Sequence, residues 1–158
     1  MIAGSLLNDA HLQKTRASTQ RCRLRIRDSA AQRQYVDWKH SVHINPFCAN
    51  TRLSHETSRP GEYQFYTMYT DSFSSYHSTW YIRRETSKFL KVVPSNIQDL
   101  LTNPISLAVW YLDDGSKGKD YEVCRLATMR FSHQEKTELV KCRRANLGLE
   151  PKTEAVYP

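Results

Sequence analysis

The chain has 158 residues and a formal net charge of +7, which comes from 23 Lys and Arg against 16 Asp and Glu. This length suits one ordinary domain with a real core, and it is too short for two independent domains. The basic excess favours a polyanionic partner, nucleic acid before membrane, and neither a long apolar run nor a signal-peptide pattern is present to indicate membrane insertion or secretion.

The first predicted element is a short helix that begins almost at Met1 and ends near Asp9. It contains three small residues, Ala3, Gly4 and Ser5. Small side chains let a second backbone approach closely. We therefore expect another element to pack tightly against this helix.

A strand follows over residues 21 to 28, RCRLRIRD, where basic and apolar side chains alternate with period two. One face of this strand is predicted to be apolar. The other face would carry Arg21, Arg23, Arg25 and Arg27. Like charges on one sheet face repel one another, so the pattern indicates contact with a phosphate-rich partner. An acidic protein surface that pairs with the arginines is the alternative.

Residues 62 to 70, EYQFYTMYT, are rich in aromatic residues and threonine and predict a second strand. Its buried face would carry Tyr63, Phe65 and Tyr69. Gln64 and Tyr66 would then lie on the opposite face, where a glutamine can pair with adenine. This strand therefore predicts a DNA-reading face.

Helices are expected before and after this strand in the chain, over residues 29 to 43 and 72 to 84. Residues 88 to 94 are expected to form a linker.

The next helix has a well-marked start, because Asn103 is a capping residue and Pro104 suits the first helical position. Residues 105 to 112 leave it no polar face, which is typical of a helix that is buried on all sides. Gly115 predicts its end, in the left-handed conformation that is common there. We expect this helix at the centre of the fold.

The last part of the chain repeats the order of the first. A strand is predicted over residues 121 to 131, and Ser132 with Glu135 forms a capping box for a helix that runs to about Asn146 and is closed by Gly148. Each of the two helices that end in aspartate is thus followed by a basic loop, a strand and a capped helix. This order indicates a duplicated unit.

Two adjacent acids, Asp113 and Asp114, end the central helix. Acidic side chains are unfavourable at the negative end of a helix dipole, but a Mg²⁺ ion reverses the sign and takes carboxylate and carbonyl oxygens. If the first helix packs against the central one, Asp9 and Asp114 come side by side. That arrangement suits metal-assisted phosphodiester hydrolysis. An ordinary solvated Asp-Asp-Gly turn is the alternative.

Two segments resemble the signature helices of the LAGLIDADG homing endonucleases, in the branch that carries two motifs in a single chain. They are IAGSLLNDA at residues 2 to 10 and LAVWYLDDG at residues 107 to 115. The resemblance extends to residues 91 to 117 and to FSHQEKTELV at residues 131 to 140. It therefore covers nearly the whole chain.

The resemblance implies an α+β fold with two pseudo-symmetric αββαββ-type halves, whose antiparallel sheets form a DNA-binding saddle. The first half would comprise residues 1 to 98 and the second half residues 99 to 158, within one compact unit. Family members normally continue with another strand pair and a helix. The second half is therefore expected to be truncated at the C-terminus.

The resemblance also implies particular site residues. Asp9 and Asp114 would be the catalytic acids that hold Mg²⁺ or Mn²⁺, with the carbonyls of Asn8 and Asp113 as further metal ligands. Lys91 matches a basic residue that family members place near the cleavage centre. The expected DNA contacts are Lys14, Arg16, Arg21, Arg23, Arg25, Arg27, Gln64, Tyr66, Lys117 and Lys119.

Some residues depart from the family pattern or have simpler explanations. The usual glutamine after each first strand is not seen, and Asp28 and Met129 stand near those places. His40 and His43 form an H-x-x-H pair without a third ligand at a convincing spacing, so structural roles are favoured. The four cysteines form no C-x-x-C pair, which favours buried or free thiols in a reducing, intracellular setting. The three tryptophans are expected in the core.

The function implied by the resemblance is site-specific cleavage of double-stranded DNA by a monomer. The protein would work in the bacterial cytoplasm or in an organelle, a mitochondrion or chloroplast. An RNA-binding intron maturase, with intron RNA as its partner, is an alternative from a different class. A catalytically disabled remnant is the third interpretation.

Overall fold

The computed structural model describes residues 1–15, 20–48, 55–56, 60–84, 88–118 and 122–152. The chain forms two compact units. The two-segment unit consists of Met1–Asn8 and Trp80–Pro158, and the sheet unit consists of Asp9–Thr79. The division of the chain into two family halves at residue 98 stays a prediction.

Helices and short antiparallel strands alternate along the chain. The helices are α1 (Ile2–Leu6), α2 (Arg33–Trp38), α3 (Asp71–Trp80), α4 (Ile97–Leu100), α5 (Pro104–Asp114) and α6 (His133–Leu147). The strands are β1 (His11–Lys14), β2 (Cys22–Ser29), β3 (His55–Glu56), β4 (Glu62–Tyr66), β5 (Tyr81–Arg83), β6 (Phe89–Lys91), β7 (Gly115–Lys117) and β8 (Cys124–Leu126). None of the helices in the described ranges has the length and apolar character needed to cross a membrane.

The sheet unit is built on four antiparallel strands in the order β1-β2-β4-β3. As the alternation predicts, Cys22, Leu24 and Ile26 of β2 are buried on one face. Leu12 of β1 lies opposite Leu24, and Phe65 of β4 lies opposite Ile26, so both extend this buried face. The apolar face predicted for the first strand is confirmed.

The second predicted strand is shorter than expected. β4 ends at Tyr66, which lies opposite Arg25. In a regular ladder Cys22 would then face Tyr69, but it bridges to Thr70 instead. The extra residue is a bulge, which reverses the alternation of the side chains beyond it. Tyr69 is 39% exposed for this reason, and the prediction that it is buried is wrong.

The helices predicted beside these strands are shorter than expected. The segment from 29 to 43 is a 3₁₀ turn, then α2, then a π turn. In the later segment α3 ends at Trp80, and the next residues form β5, which pairs with β6 inside the predicted linker. Ile82 lies opposite Leu90 in this hairpin. Apolar partners on the opposite strand stabilise a hairpin. A helical pattern read from neighbouring residues cannot reveal such a partner.

Two of the three tryptophans lie in the core, as expected. Trp80 and Trp110 are fully buried, whereas Trp38 is 36% exposed. Trp38 stacks on Tyr35 with 5.7 Å between the ring centroids. Part of its ring therefore faces solvent, and the expectation that Trp38 lies in the core is wrong. All four cysteines are free thiols, as expected.

The sheet unit contains a buried histidine, His77 of α3, which is 3% exposed. The pKa of His77 is lowered from an ordinary value of 6.5 to about 4, mainly by burial and in smaller part by the charges of Lys14 and His11. The folded chain therefore keeps this imidazole neutral at pH values where the unfolded chain protonates it.

We expect the sheet unit to lose stability as the pH falls from about 6.5 towards 4, because the unfolded chain binds more protons than the folded chain in this window. The loss from His77 alone should reach about 3 kcal/mol at its largest. Urea unfolding of the wild type and of His77→Gln at pH 7 and pH 4.5 measures it. The variant should show a flatter pH dependence, and equal pH dependence in the two proteins would contradict the assignment.

The two-segment unit is centred on the packing of α1 against α5. A Cβ atom at Gly4 would overlap the carbonyl oxygen of Ser106 and lie 2.8 Å from its carbonyl carbon. The N-terminal ammonium of Met1 also donates to Ser106 Oγ at 2.6 Å. The close approach expected from the small residues of the first helix is confirmed.

The central helix starts as predicted but is not buried on all sides. Asn103 Oδ1 accepts a hydrogen bond from the Ile105 N–H at 2.9 Å, which is the expected cap. Val109 and Trp110 are fully buried, but Ile105 is 39% and Leu112 is 51% exposed. Only part of the helix circumference faces α1 and the β7–β8 hairpin. An apolar sequence alone does not show how much of a helix its neighbours cover.

Gly115 ends α5, but it is not left-handed. Its φ of −83° and ψ of 160° are extended, and β7 begins directly at this residue. A Cβ atom here would overlap the ring and the carbonyl oxygen of Tyr111. The glycine is needed for this close approach and not for a left-handed turn, so the conformational prediction is wrong.

The last helix, α6, has the predicted ends. Ser132 Oγ accepts from the Glu135 N–H at 3.3 Å, and Glu135 Oε2 accepts from the Ser132 N–H at 2.7 Å. Gly148 is left-handed, with φ of 62°. The order of α5, β7, β8 and α6 matches that of α1, β1, β2 and α2, which agrees with the predicted duplicated unit.

Candidate active site and nucleic-acid interface

The turn that follows α1 brings a buried asparagine against the end of α5. Asn8 is 1% exposed, and its amide nitrogen donates to Asp114 Oδ2 at 3.2 Å while its amide oxygen accepts from the Asp114 N–H at 3.0 Å. The opposite amide orientation would place the nitrogen 3.4 Å from the Trp110 carbonyl and turn the amide oxygen towards the Asp114 carboxylate, with only a 3.5 Å contact from Arg130 Nη2. The first orientation satisfies both polar atoms at shorter distances. Asn8 therefore fixes the position of Asp114.

The backbone carbonyl of the same asparagine receives two cations. Lys91 Nζ donates to the Asn8 carbonyl at 2.5 Å and to the Leu6 carbonyl at 3.0 Å. Arg130 Nη1 donates to the Asn8 carbonyl at 3.1 Å. Cations are favoured at the carbonyl end of a helix. One residue, Asn8, thus joins the acid Asp114 to two basic side chains.

The backbone around Lys91 is fixed by contacts at Lys91 itself and two residues after it. It is the last residue of β6, where it pairs with Tyr81. Two residues later the Val93 N–H donates to Glu135 Oε1 at 2.7 Å. Burial alone would raise the pKa of Glu135, but the Ser132 hydroxyl and the Val93 and Ser132 N–H groups lower its pKa below the ordinary value. A charged Glu135 therefore ties the segment after Lys91 to the start of α6.

Metal ligation fits some of the predicted residues better than others. Asp114 is exposed and offers a carboxylate, the kind of oxygen that Mg²⁺ prefers. The Asn8 carbonyl accepts from both Lys91 and Arg130, so a metal there would have to displace a cation. In the described ranges, no three His, Cys, Asp or Glu side chains are grouped in a way that could hold a metal ion. Asp9 is an exposed residue of the sheet unit, and its pairing with Asp114 stays a prediction.

The sheet unit carries the arginine face predicted from the alternation. Arg25 lies opposite Tyr66, and Arg27 lies opposite Gln64, so the two residues expected to read bases share this face with the arginines. The Arg23 guanidinium stacks 3.9 Å from the centre of the Tyr66 ring. Tyr66 therefore holds the Arg23 guanidinium on this face.

The remaining predicted contacts are placed differently. Arg21 pairs with Asp71 at 3.2 Å. Lys14 lies opposite Cys22, which puts it at the end of the apolar face and not on the arginine face. Lys117 is exposed in β7, in the two-segment unit. Arg16 and Lys119 lie outside the described residues.

Neither position of the usual family glutamine carries an amide. Asp28 lies near the end of β2 on the same side as the buried Ile26, and not on the arginine face. Burial raises the pKa of its carboxyl and the charge of Asp9 adds to the rise, while the Ser29 N–H and Lys39 oppose it. Met129 is 76% exposed. The residue after Met129 is Arg130, whose contact with Asn8 the sequence analysis missed. The sequence did offer a signal, because Arg130 directly follows Met129, which stands near a position where the family usually has a glutamine.

The chain matches the family model described as LAGLIDADG DNA endonuclease family over residues 1–155. The cytochrome b mRNA maturase bI2 of Saccharomyces cerevisiae is 33% identical over 144 residues, covering 85% of this chain and 33% of that protein. The bI2 maturase of Debaryomyces hansenii is 31% identical over 147 residues, covering 89% of this chain and 53% of that protein. The chain thus spans about a third and about half of these relatives.

A solved structure has the same fold. It is the homing endonuclease I-WcaI bound to its DNA recognition sequence, with a TM-score of 0.71 and 18% identity, covering 94% of this chain and 66% of that chain. At this identity the likeness concerns the fold alone. The α+β homing endonuclease fold expected from the sequence is confirmed.

Proposed function

Because the chain belongs to the LAGLIDADG DNA endonuclease family, we propose that it is a site-specific double-strand DNA endonuclease of the homing type, which hydrolyses phosphodiester bonds with Mg²⁺ or Mn²⁺. The observation that carries the proposal is the arrangement around Asn8. Its amide holds the signature-helix acid Asp114, and its carbonyl holds the cation Lys91. A carboxylate and an ammonium group fixed by one buried residue are suitable for phosphodiester chemistry.

Asp9 and Asp114 are the proposed metal-holding acids, and the Asp113 carbonyl is a further proposed ligand. A bound Mg²⁺ would supply Lewis-acid stabilisation of the phosphate and an activated water. The Asn8 carbonyl, also expected as a ligand, is better suited to hold Lys91. The protein's own contribution at this point is the fixed orientation of the Asp114 carboxylate, since Asn8 engages both its Oδ2 and its N–H.

Lys91 is proposed to stabilise negative charge that develops on the phosphate. Its ammonium is held by two carbonyls of the first signature helix, so it needs little reorganisation during the reaction. The arginine face is proposed to contact the DNA backbone, and Gln64 to contact base edges. A monomer is the proposed working form. Relatives that are cytochrome b mRNA maturases favour the organellar setting among the expected locations.

Linearisation of a plasmid library with random inserts tests the endonuclease proposal. The wild type should convert a fraction of the plasmids to linear form with Mg²⁺ but not with EDTA. Complete absence of linear product from a folded, DNA-binding protein would contradict it.

Asn8→Ala should reduce the rate of cleavage by about 10- to 100-fold, because residues that orient a metal-binding acid usually contribute that much. It should also lower the free energy of unfolding by about 1–3 kcal/mol, since the two hydrogen bonds between the Asn8 amide and Asp114 are lost. Single-turnover cleavage and urea unfolding measure the two effects. Asn96→Ala is the control, because Asn96 is exposed and its side chain makes no capping bond. Wild-type cleavage by a folded Asn8→Ala protein would refute the role.

An RNA-binding intron maturase is the second candidate, since both relatives named above are mRNA maturases. The arginine face suits an RNA backbone as well as DNA. In this case the protein should promote splicing of its intron, and Asp114→Asn should splice as well as the wild type. A protein that neither cleaves DNA nor promotes splicing, and that unfolds without a cooperative transition, would be the disabled remnant.

A further inference from the structure

The bulge in the sheet unit turns Tyr69 out of the buried side of the sheet. The Thr67 N–H donates to the Leu24 carbonyl and the Thr70 N–H donates to the Cys22 carbonyl, so Tyr69 and the residue before it share the place opposite Arg23. Bulges often re-aim a side chain beside a functional site. Tyr69 is 39% exposed as a result, and its ring lies on the arginine face.

Tyr69 belongs to a stack of planar groups on this face. The Arg23 guanidinium lies over two rings, 3.9 Å from the centre of the Tyr66 ring and 4.9 Å from the centre of the Tyr69 ring. Arg23 Nε also donates to Gln13 Oε1 at 3.2 Å, which fixes the plane of the guanidinium. Tyr66 is half-buried, whereas Tyr69 is exposed. The exposed part of the stack is therefore aromatic, and its neighbours hold it in position.

The arginines beside this stack differ in how far their charges are balanced. Two of them form ion pairs, Arg21 with Asp71 at 3.2 Å and Arg27 with Glu62 at 3.3 Å. The side chain of Arg25 forms no ion pair, hydrogen bond or ring contact with the residues in the described ranges. Arg25 is two positions from Arg23 on the same face of β2, which separates their Cα atoms by about 7 Å. An anion bound by Arg25 would thus lie beside the stack.

An exposed ring next to an unbalanced cation matches a nucleotide whose base is not paired. Unpaired bases stack on tyrosine rings and on arginine planes, while their phosphates pair with basic side chains. In a duplex the flat faces of the bases are covered by their neighbours, and proteins read the base edges in the grooves. A stacking ring therefore favours a single strand.

We propose that Tyr69 stacks on an unpaired base of a single-stranded nucleic acid, and that Arg25 binds a phosphate of the same strand. This site goes beyond the proposed cleavage of duplex DNA and does not depend on it. Single-stranded RNA and single-stranded DNA share the required chemistry, since every base has a flat face. The arginine face would then accept a single strand as well as a duplex.

Fluorescence anisotropy titrations with short end-labelled strands test the stacking contact. The probes are an RNA strand, a DNA strand of the same sequence, the duplex of that DNA, and an abasic strand that keeps the phosphates without the bases. Tyr69→Ala should weaken binding of the RNA or DNA strand by about 5- to 150-fold. It should change binding of the duplex and of the abasic strand by less than about twofold. The probe that loses affinity identifies the kind of strand.

Two variants serve as controls for the ring. Tyr69→Phe keeps the ring and should bind the strands as the wild type does. Tyr76→Ala removes a half-buried tyrosine of α3 and should also leave binding unchanged. A folded Tyr69→Ala protein that binds the single strands as tightly as the wild type would overturn the proposal. Equal losses for the strands and the duplex would also overturn it, because the ring would then only support Arg23.

The salt dependence of strand binding tests the phosphate contact. The logarithm of the binding constant falls linearly with the logarithm of salt concentration, and each neutralised phosphate of a single strand contributes about 0.7 to the slope. Arg25→Gln should lower the slope by this amount. Arg21→Gln is the matched control and should lower it less, because Arg21 is already paired with Asp71. A folded Arg25→Gln protein with the wild-type slope would overturn the phosphate contact.

Photocrosslinking of the wild-type protein gives a test that needs no variant. A strand that contains 5-iodouridine is irradiated in the complex, and the adducts are located by mass spectrometry of the peptides. Stacking predicts an adduct on Tyr69. Adducts on other residues and none on Tyr69 would overturn the stacking contact.

The stacking site and the endonuclease can fail separately. If the wild type cleaves duplex DNA and Tyr69→Ala binds single strands normally, the endonuclease stands and the stacking site falls. If the wild type never cleaves and Tyr69→Ala loses only the binding of single strands, the stacking site stands and the endonuclease falls.

Discussion

Gly4→Ala is expected to lower the free energy of unfolding of the two-segment unit by about 3 kcal/mol, at the upper end of the usual cost of overpacking. The added Cβ would overlap the Ser106 carbonyl, and the obstacle is backbone that cannot rotate away. Either α1 must move outwards or the helix pair must separate. Urea or thermal unfolding of the purified protein measures the change.

The same variant should impair the site. α1 supplies the Leu6 carbonyl and leads directly into Asn8, so its displacement moves the acceptors of Lys91 and the amide that holds Asp114. Ala108→Ser is the control, because it adds one atom to an exposed position of α5 and should change stability by less than about 0.5 kcal/mol. Equal stability of Gly4→Ala and Ala108→Ser would contradict the close helix packing.

Asp114→Asn is expected to reduce DNA cleavage by at least about 100-fold, since loss of a proposed metal-holding acid should cost no less than loss of a residue that orients one. Asparagine has nearly the same shape, so the fold should be retained. Removing a negative charge near a polyanion should leave DNA affinity equal or higher. Single-turnover cleavage and a separate binding titration on the same duplex distinguish the two quantities.

Asp113→Asn is the matched control for this prediction. Asp113 is proposed to act through its backbone carbonyl, which the substitution keeps. Its effect on the cleavage rate should therefore be much smaller than that of Asp114→Asn. Equal losses in the two variants would show that the pair acts through general charge and not through a specific acid.

The sequence predicted those features that depend on local rules. The alternation in β2 identified the buried and arginine faces, the Ser132 and Glu135 pair identified the start of α6, and Asn103 identified the start of α5. The need for small residues in α1 was also visible, because only a short side chain permits such close packing. Each of these signals lies within a few residues of the feature it predicts.

The features that were missed depend on distant partners. The bulge before Thr70 follows from a contact with Cys22, and the β5–β6 hairpin follows from pairing across a turn. Gly115 is extended and pairs with Leu126 in the β7–β8 hairpin.

At the candidate site, the sequence identified Asp114 and Lys91 as residues of interest but not what holds them. Asn8 was expected to act only through its carbonyl, whereas its buried amide positions Asp114. Arg130 was not considered, since it reaches Asn8 across 122 positions of sequence.

We propose that this chain cuts duplex DNA at a particular sequence through Asp114. Sequencing the ends of the products from a randomised duplex library, after incubation with Mg²⁺ and either the wild type or Asp114→Asn, tests it most directly. The wild-type ends should fall at one recurring sequence on both strands, and the variant should enrich no ends. An intact library after incubation with folded, nucleic-acid-binding wild type, or the same enriched ends from Asp114→Asn, would contradict it.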